Sequence, residues 1–482
     1  MRFFDLALIA AYLIGITWFG AHFRHSQKTL RDYFLGGRNA PWWAIAFSIV
    51  SAETSTLTVI GTPALAFKGN FGFLQVVLGY LLARIVISIL FLPQYFRGDL
   101  FTAYELMERR FGMRLRRLTA GLFLVLRALA EGVRVFAISI VISIILRLDP
   151  FYAIVVIVAL TLFYTFEGGM TAVIWTDVIQ MGLYVAGAVL SLFTILSKMP
   201  HGWAQVYGLA SLGDKFRVFD FSFSPTLAWL SQPYTFWAGV LGGCFLCTAS
   251  HGTEQLMVQR LLAARDLKES RKALFGSWIL VALLFALFLM IGTILWALYT
   301  VNHWQVPGKV DRIYPQFIWD NLPVGVAGLV MAAVLAAAMS NLSAALNSLS
   351  STTVMDFYRR SWPGKAEAHY VSVARFATLG WGVVLLAIGV LAQRVDSVLE
   401  AGLGIAAILY GGLLGVFLLG LISKQVSESA AMAGMAAGIL GNLYIRFATP
   451  IAFTWYVLIG TSITIAVSLA AGLLRGDFRE SA

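Results

Sequence analysis

The chain has 482 residues, 59% of them hydrophobic and 12% charged, with a mean hydropathy of +0.81. Soluble domains carry about 25% charged residues, so water is excluded as the solvent for most of this surface and the chain reads as an all-α polytopic membrane protein. The formal charge of +11 lies in short loops between apolar runs, which fits membrane topology and argues against a nucleic-acid partner.

Thirteen apolar runs are long enough to cross about 30 Å of hydrocarbon as helices. They lie near 3–22, 42–66, 71–95, 118–146, 150–167, 172–197, 233–260, 273–300, 323–355, 371–393, 398–422, 427–447 and 451–474. The first lacks a small-residue cleavage site and is followed by Arg24, Lys28, Arg31 and Arg38, so it reads as a span and not as a signal peptide.

The second run contains "SAETSTLTVIGTP", with Ser51, Glu53, Thr54, Ser55, Thr56 and Thr58 ahead of Gly61 and Pro63. Gly permits unwinding and Pro removes a backbone donor, so a helix interruption is expected here. Freed carbonyls at membrane depth are tolerated where protein or a water-filled cavity satisfies them. Run 4 carries Arg127, Glu131 and Arg134, at spacings that let the acid meet either arginine on one face. One positive charge is then left over, a natural partner for a carboxylate solute. In run 6, Asp177 is expected either as an interfacial acid or as an ion or proton ligand.

Run 7 spells "CFLC", with Cys244 and Cys247 as packing residues because no further metal ligands accompany them. It continues "TASHGTEQ", placing His251, Gly252, Thr253, Glu254 and Gln255 in an apolar setting. Two interrupted segments five spans apart predict a transporter built from inverted repeats. The expected division of this single transporter domain is 1–40 (first span and loop), 41–197 (first repeat), 233–422 (second repeat) and 423–482 (last two spans and tail). In run 9, Ser340, Ser343, Asn347 and Ser351 share one helix face. A stripe of neutral oxygens suits a hard cation, and Na⁺ fits it.

Arginine and lysine crowd alternate loops: Arg97 to Arg117 after run 3, Arg265 to Lys272 after run 7, and Arg359, Arg360 and Lys365 after run 9. Lys68 and Arg147 stand alone in intervening loops. The positive-inside rule then puts the N-terminus outside and the C-terminus, with Arg475 and Arg479, in the cytoplasm, in a plasma (inner) membrane.

Several ordered motifs resemble the sodium:solute symporter family, which includes the sodium–glucose, sodium–proline and sialic acid symporters. They are "DYFLGGRNAPWW" (32–43), "TAYELMERRFG" (102–112), "GGMTAVIWTDVIQ" (168–180), "GTEQLMVQRLLAA" (252–264), "AAAMSNLSAALNSLSS" (336–351) and "GGLLGVFLLGL" (411–421). The resemblance implies a LeuT-type 5+5 inverted repeat over spans 2–6 and 7–11, and Na⁺-coupled uptake by alternating access. It implies a principal sodium site on backbone oxygens near Ser51 and Thr54, the backbone of Ala337, and side-chain oxygens of Ser340 and Asn341. The last departs from the family's usual Ser or Thr.

A second ion in some members implies Asp177, Ser340 and Ser343, although Ala344 replaces an expected hydroxyl. Glu53 stands at a position that is polar across the family. By position, Glu53, Ser55, Thr58, Gln75, Arg127, Arg134, Ser250, His251 and Glu254 are candidate solute contacts. Hydroxyls with one arginine suit a sugar acid or monocarboxylate, and "TVIGTPA" is similar to the monocarboxylate and sialic acid members. Na⁺, the solute and the bilayer are the expected partners, with no obligate protein partner and no enzymatic role. The alternatives are proton coupling through Glu53 or Asp177 and, from another class, a membrane sensor, for which the sequence offers no output domain.

Overall fold

Each of the thirteen apolar runs is helical in the computed structural model, which describes residues 2–21, 29–97, 100–146, 149–308, 310–392, 398–423 and 425–475. Arg24, Lys28, Arg147 and Arg479, used above for orientation, lie outside these residues. In chain order the helices are α1 (Phe3–Ala21), α2 (Trp42–Glu53), α3 (Thr56–Lys68), α4 (Leu74–Val86), α5 (Met113–Leu146), α6 (Pro150–Ser197) and α7 (Gly202–Leu212). They continue with α8 (Gly243–Gly252), α9 (Gln255–Leu262), α10 (Leu267–Val301), α11 (Ile313–Asn321) and α12 (Val326–Thr352). The last four are α13 (Glu367–Leu391), α14 (Val398–Ile422), α15 (Glu428–Ala448) and α16 (Tyr456–Arg475). Helix α4 runs on through a wide π turn, Ile87–Phe91, to Tyr95, and α12 ends in another, Thr353–Tyr358.

Among the described residues eight helices are long and apolar enough to cross a membrane, and α2 with Leu57–Lys68 forms a further pair bent by 64°. Phe3–Phe19 and Phe151–Phe163 are shorter apolar stretches. Runs 5 and 6, separate in the sequence reading, share one helical backbone in α6, since only residues 168–171 lie between them.

Close helix packing rests on small residues, as expected where hydrophobic burial gives no preference for protein over lipid. A Cβ on Gly79 of α4 would lie 2.4 Å from the Val240 carbonyl oxygen, just before α8, and one on Gly292 of α10 would lie 2.2 Å from that of Pro63 in α3. Gly434 and Gly438 of α15 press on Ser468 and Thr464 of α16 in the same way. Helix α12 lies at the centre: 94% of its apolar window is buried, and it packs on α1, α2, α5, α6 and α13. That is why its hydroxyl face meets protein and not lipid.

Candidate functional site

The interruption of the second run falls at Thr54 and Ser55, where Thr54 is extended (φ −88, ψ 100) and Ser55 begins the next helix. This corrects the expectation of a break at Gly61 and Pro63, both of which lie inside α3. Hydroxyl residues compete with the helix for backbone groups and favour caps, and the Ser55 N–H donates to Thr58 Oγ1 at 3.2 Å.

The break turns two carbonyls toward α12. Asn341 Nδ2 donates to Ser51 O at 3.0 Å and to Thr54 O at 3.1 Å. Beside them, Ser51 Oγ and Ser340 Oγ are 2.6 Å apart, and the Ser340 hydroxyl donates to Asp177 Oδ1 at 2.5 Å. Ala337 lies on the helical backbone of α12, one residue whose side chain is outside the described set. Neutral oxygens in front of a carboxylate are the donor set that a hard monovalent cation needs.

Asp177 is fully enclosed. Its Oδ2 accepts from Ser48 Oγ at 2.5 Å and from Arg260 Nη2 at 3.0 Å, and Arg260 also reaches Ser48 O. The reading of Asp177 as an interfacial acid in contact with water is thereby corrected, since its side chain is 0% exposed. Ser343 donates to Ser340 O on its own helix at 2.9 Å, and Asn347 Nδ2 approaches Met170 Sδ at 3.1 Å. Ser351 meets Ser348 O and Gln259.

The second broken run, α8 and α9, parts at Thr253 and Glu254, and the freed Gly252 carbonyl accepts from the Tyr95 hydroxyl at 2.5 Å. Glu53, at the end of α2, reaches this neighbourhood. Its Oε2 pairs with Arg84 Nη2 at 2.8 Å and His251 Nε2 at 3.2 Å, and His251 Nδ1 contacts Ser250 Oγ at 2.8 Å. Glu53, Cys247 and His251 offer ligand atoms within 4.8 Å of one another. Arg84 binds both Glu53 and, through Nη1 at 3.2 Å, Cys247 Sγ, so a guanidinium already supplies the positive charge there. Cys247 is thus more than the packing residue expected.

Arg127 is held on two sides, by Glu131 Oε2 at 2.9 Å and Glu254 Oε1 at 3.2 Å, while Tyr410 donates to Glu254 Oε2. Arg134 pairs through Nη1 with Glu131 at 3.0 Å, its one carboxylate partner among the described residues. It lines a cavity of about 130 Å³ together with Glu53, Ser55, Thr58 and a mixed aromatic and aliphatic wall that includes Phe73, Tyr80 and Phe285. Of the nine candidate solute contacts, these four polar residues come together around the cavity. Gln75 does not: its amide donates to Gly72 O and Tyr234 O and accepts from the Asp220 N–H, pinning the loop that carries Asp220 and Tyr234. Arg127, Ser250, His251 and Glu254 stand behind the wall, in ion pairs and hydrogen bonds with protein.

Arg84 and Arg260 were missed as functional residues. Both interrupt apolar sequence, in "YLLARIV" and "LMVQRLL", and an intramembrane arginine is a signal in itself; what the sequence hid was that each had an acid waiting from another run.

Two broken helices joined through Glu53 and His251 beside a cavity, with an oxygen-bearing helix behind the first break, define a LeuT-type secondary transporter. A family model, the Sodium:solute symporter family, matches residues 33–438, and the chain belongs to that family. It is similar to the Sodium/sialic acid symporter SiaT of Proteus mirabilis, 30% identical over 98% of this chain and 95% of the relative. It also resembles the Sodium-coupled monocarboxylate transporter 1 of Xenopus laevis, 27% identical over 93% of this chain and 72% of the relative. Similarity to the human Sodium/iodide cotransporter is 28% over 92% of this chain and 68% of that relative.

Among solved structures, the substrate-bound outward-open state of a Na⁺-coupled sialic acid symporter superposes with a TM-score of 0.88 at 27% identity, covering 98% of both chains. Mhp1, a nucleobase-cation-symport-1 family transporter in a closed conformation, shares the fold at a TM-score of 0.63 and 15% identity, over 92% of this chain and 94% of its own. The expected architecture and coupling ion are borne out: this is a Na⁺-coupled symporter of a small polar solute.

Proposed function

We propose that the chain imports a short-chain carboxylate together with one Na⁺ through the plasma (inner) membrane, its N-terminus outside and its C-terminus in the cytoplasm. Residues 41–197 and 233–422 are the two repeats that move against each other. Turnover needs neither a protein partner nor an enzymatic step. The observation that carries the reading is that the freed Ser51 and Thr54 carbonyls face Asn341 of α12, with the Ser51 and Ser340 hydroxyls in contact beside them, next to a cavity with Arg134 in its wall.

Na⁺ is assigned to Ser51 O, Thr54 O, Ala337 O and Ser340 Oγ, with Asn341 bordering the position. The solute's carboxylate is assigned to Arg134, since Arg127 has both ends engaged. Ser55 and Thr58 supply polar contacts, and Glu53 closes the floor through Arg84 and His251. The cavity of about 130 Å³ is small beside the roughly 300–1,000 Å³ of sites for drug-sized ligands. Its aromatic and aliphatic wall and its size favour a monocarboxylate of a few carbons over a sugar acid as large as sialic acid. A second ion at Asp177 and Ser343 is disfavoured, because Arg260 and two hydroxyls already occupy the carboxylate.

Thermal shift of the purified chain against monocarboxylates, sugar acids, sugars and amino acids, each in Na⁺ and in choline at equal ionic strength, tests this. Linked sites raise each other's affinity, so a small monocarboxylate is expected to stabilise the protein only with Na⁺. Arg134→Ala is expected to abolish that response with stability otherwise kept. Arg127→Ala strands Glu254 and Glu131 and is expected to lower the melting temperature with or without solute. An Arg134→Ala protein that still responds would remove the basis for the carboxylate reading.

A further inference from the structure

The coupling-ion position carries an amide where an ion ligand was expected, and its orientation is fixed by chemistry. Carbonyl oxygens only accept hydrogen bonds, so the Asn341 group that faces Ser51 O and Thr54 O is its NH₂ and not its oxygen. At 3.0 and 3.1 Å, this nitrogen bridges both carbonyls freed by the helix break. We propose that Asn341 is an internal stand-in for the coupling ion: its amide occupies the carbonyl pair until Na⁺ displaces it, so that Asn341 sets the sodium affinity by competition. The proposal rests on the assignment of Na⁺ to Ser51, Thr54 and Ser340.

Three features of the site support it. The two N–H groups carry partial positive charge, and they point along the carbonyl dipoles where a cation would also sit. Asn341 is 1% exposed, so water does not compete for these bonds and they hold at full strength. Finally, Na⁺ and amide hydrogens repel, so the ion and this rotamer are mutually exclusive. Binding therefore requires the side chain to turn, either presenting its oxygen or leaving altogether, at the cost of both hydrogen bonds.

A mechanical consequence follows. An ion bridging α2 and α12 normally joins the broken span to its neighbour only when it is bound. Here the amide makes the same connection from within, so the break stays pinned to α12 in the ion-free protein. Sodium exchanges one bridge for another, and its midpoint is raised by the free energy of the bridge it replaces. Two buried amide–carbonyl bonds are enough to account for about a tenfold change in that midpoint.

The test is a Na⁺ titration of the purified full-length chain, with choline holding the ionic strength, followed by thermal shift and by hydrogen exchange of residues 51–58. Asn341→Ala removes both the bridge and any ligand oxygen. Asn341→Ser keeps a ligand oxygen on a side chain too short to span both carbonyls, and serves also if the alanine variant fails to fold. Both are expected to lower the Na⁺ midpoint about tenfold, to speed exchange at 51–58 in choline, and to regain protection in Na⁺. A raised midpoint in Asn341→Ala would make Asn341 an ordinary ligand through its oxygen and overturn the proposal, as would an unchanged midpoint in both variants. Ser340→Ala separates the two levels. If it titrates with Na⁺ like the wild type, the site assignment itself fails; if it loses the response while the Asn341 variants behave as wild type, the site stands and the stand-in does not.

Discussion

Asp177 is a buried acid whose oxygens accept from Ser48, Ser340 and Arg260, and this decides how a substitution there should be read. Arg260, 1% exposed, has no other carboxylate among its described partners. Removing one member of a buried pair leaves the other charged and uncompensated, which costs roughly 3–5 kcal/mol. Asp177→Asn is therefore expected to lower the melting temperature equally in Na⁺ and in choline. A variant with unchanged stability but a weakened Na⁺ response would instead show an ion bound at this carboxylate. From the sequence, the acid stood out because charge in an apolar run is expensive. Its state did not, because Ser48, Arg260 and Ser340 lie 129, 83 and 163 residues away.

Between elements, Glu53 ties the broken span of one half to that of the other. It ends α2 at the first break, and His251 lies one residue from the end of α8 at the second; Arg84 of α4 completes the contact. The two breaks thus share one ion-paired cluster. Glu53→Gln keeps the shape but leaves Arg84 without its acid, and uptake should become poorly coupled, with solute-stimulated Na⁺ flux falling relative to Na⁺ leak. Unchanged Na⁺-driven uptake in that variant would sink the idea.

Helical periodicity explains why part of this was readable. Spacings of three and four correctly put Ser340, Ser343, Asn347 and Ser351 on a buried face of α12. Periodicity is silent on partners, and three nearby hydroxyls, at Ser343, Ser348 and Ser351, bond carbonyls of their own helix. The same limit applies to the break. Gly61 and Pro63 were the loudest local signals, but Pro63 sits where its carbonyl packs on Gly292, and the opening fell to the quieter hydroxyl run before it.

Across the whole molecule, one end of the bundle is fastened by charge. Arg116 donates to Asp356 Oδ1 at 2.7 Å and to Glu108, and lies 3.6 Å from Glu105; Arg360 reaches Glu108 at 2.6 Å. Gln255 adds bonds to Ala103 N and Phe101 O. These contacts join the end of α12 to the 100–116 segment. Asp356→Asn is expected to loosen that end, read as faster hydrogen exchange over residues 100–110 with Na⁺ affinity lowered in parallel. Unaltered exchange there would mean the cluster serves stability alone. The arginines that orient the chain were plain in the sequence as a cationic loop. That Arg116 and Arg360 pair with acids distant in the sequence was not, since a hydropathy reading treats each charge as solvated.

The four arginines around the site, the buried Arg84, Arg127 and Arg260 and the half-buried Arg134, face four acids, Glu53, Glu131, Glu254 and Asp177. Their charges cancel, so when the two halves of the carrier rock they move no net charge of their own through the field. What the membrane voltage can do is then set by the cargo. For the proposed cargo of one Na⁺ with one monoanion, transport would be electrically silent, and the voltage, worth about 2.3 kcal/mol per elementary charge per 100 mV, would add nothing to accumulation. With the proposed cargo, such a carrier would concentrate its solute on the sodium gradient alone and keep working in a depolarised cell.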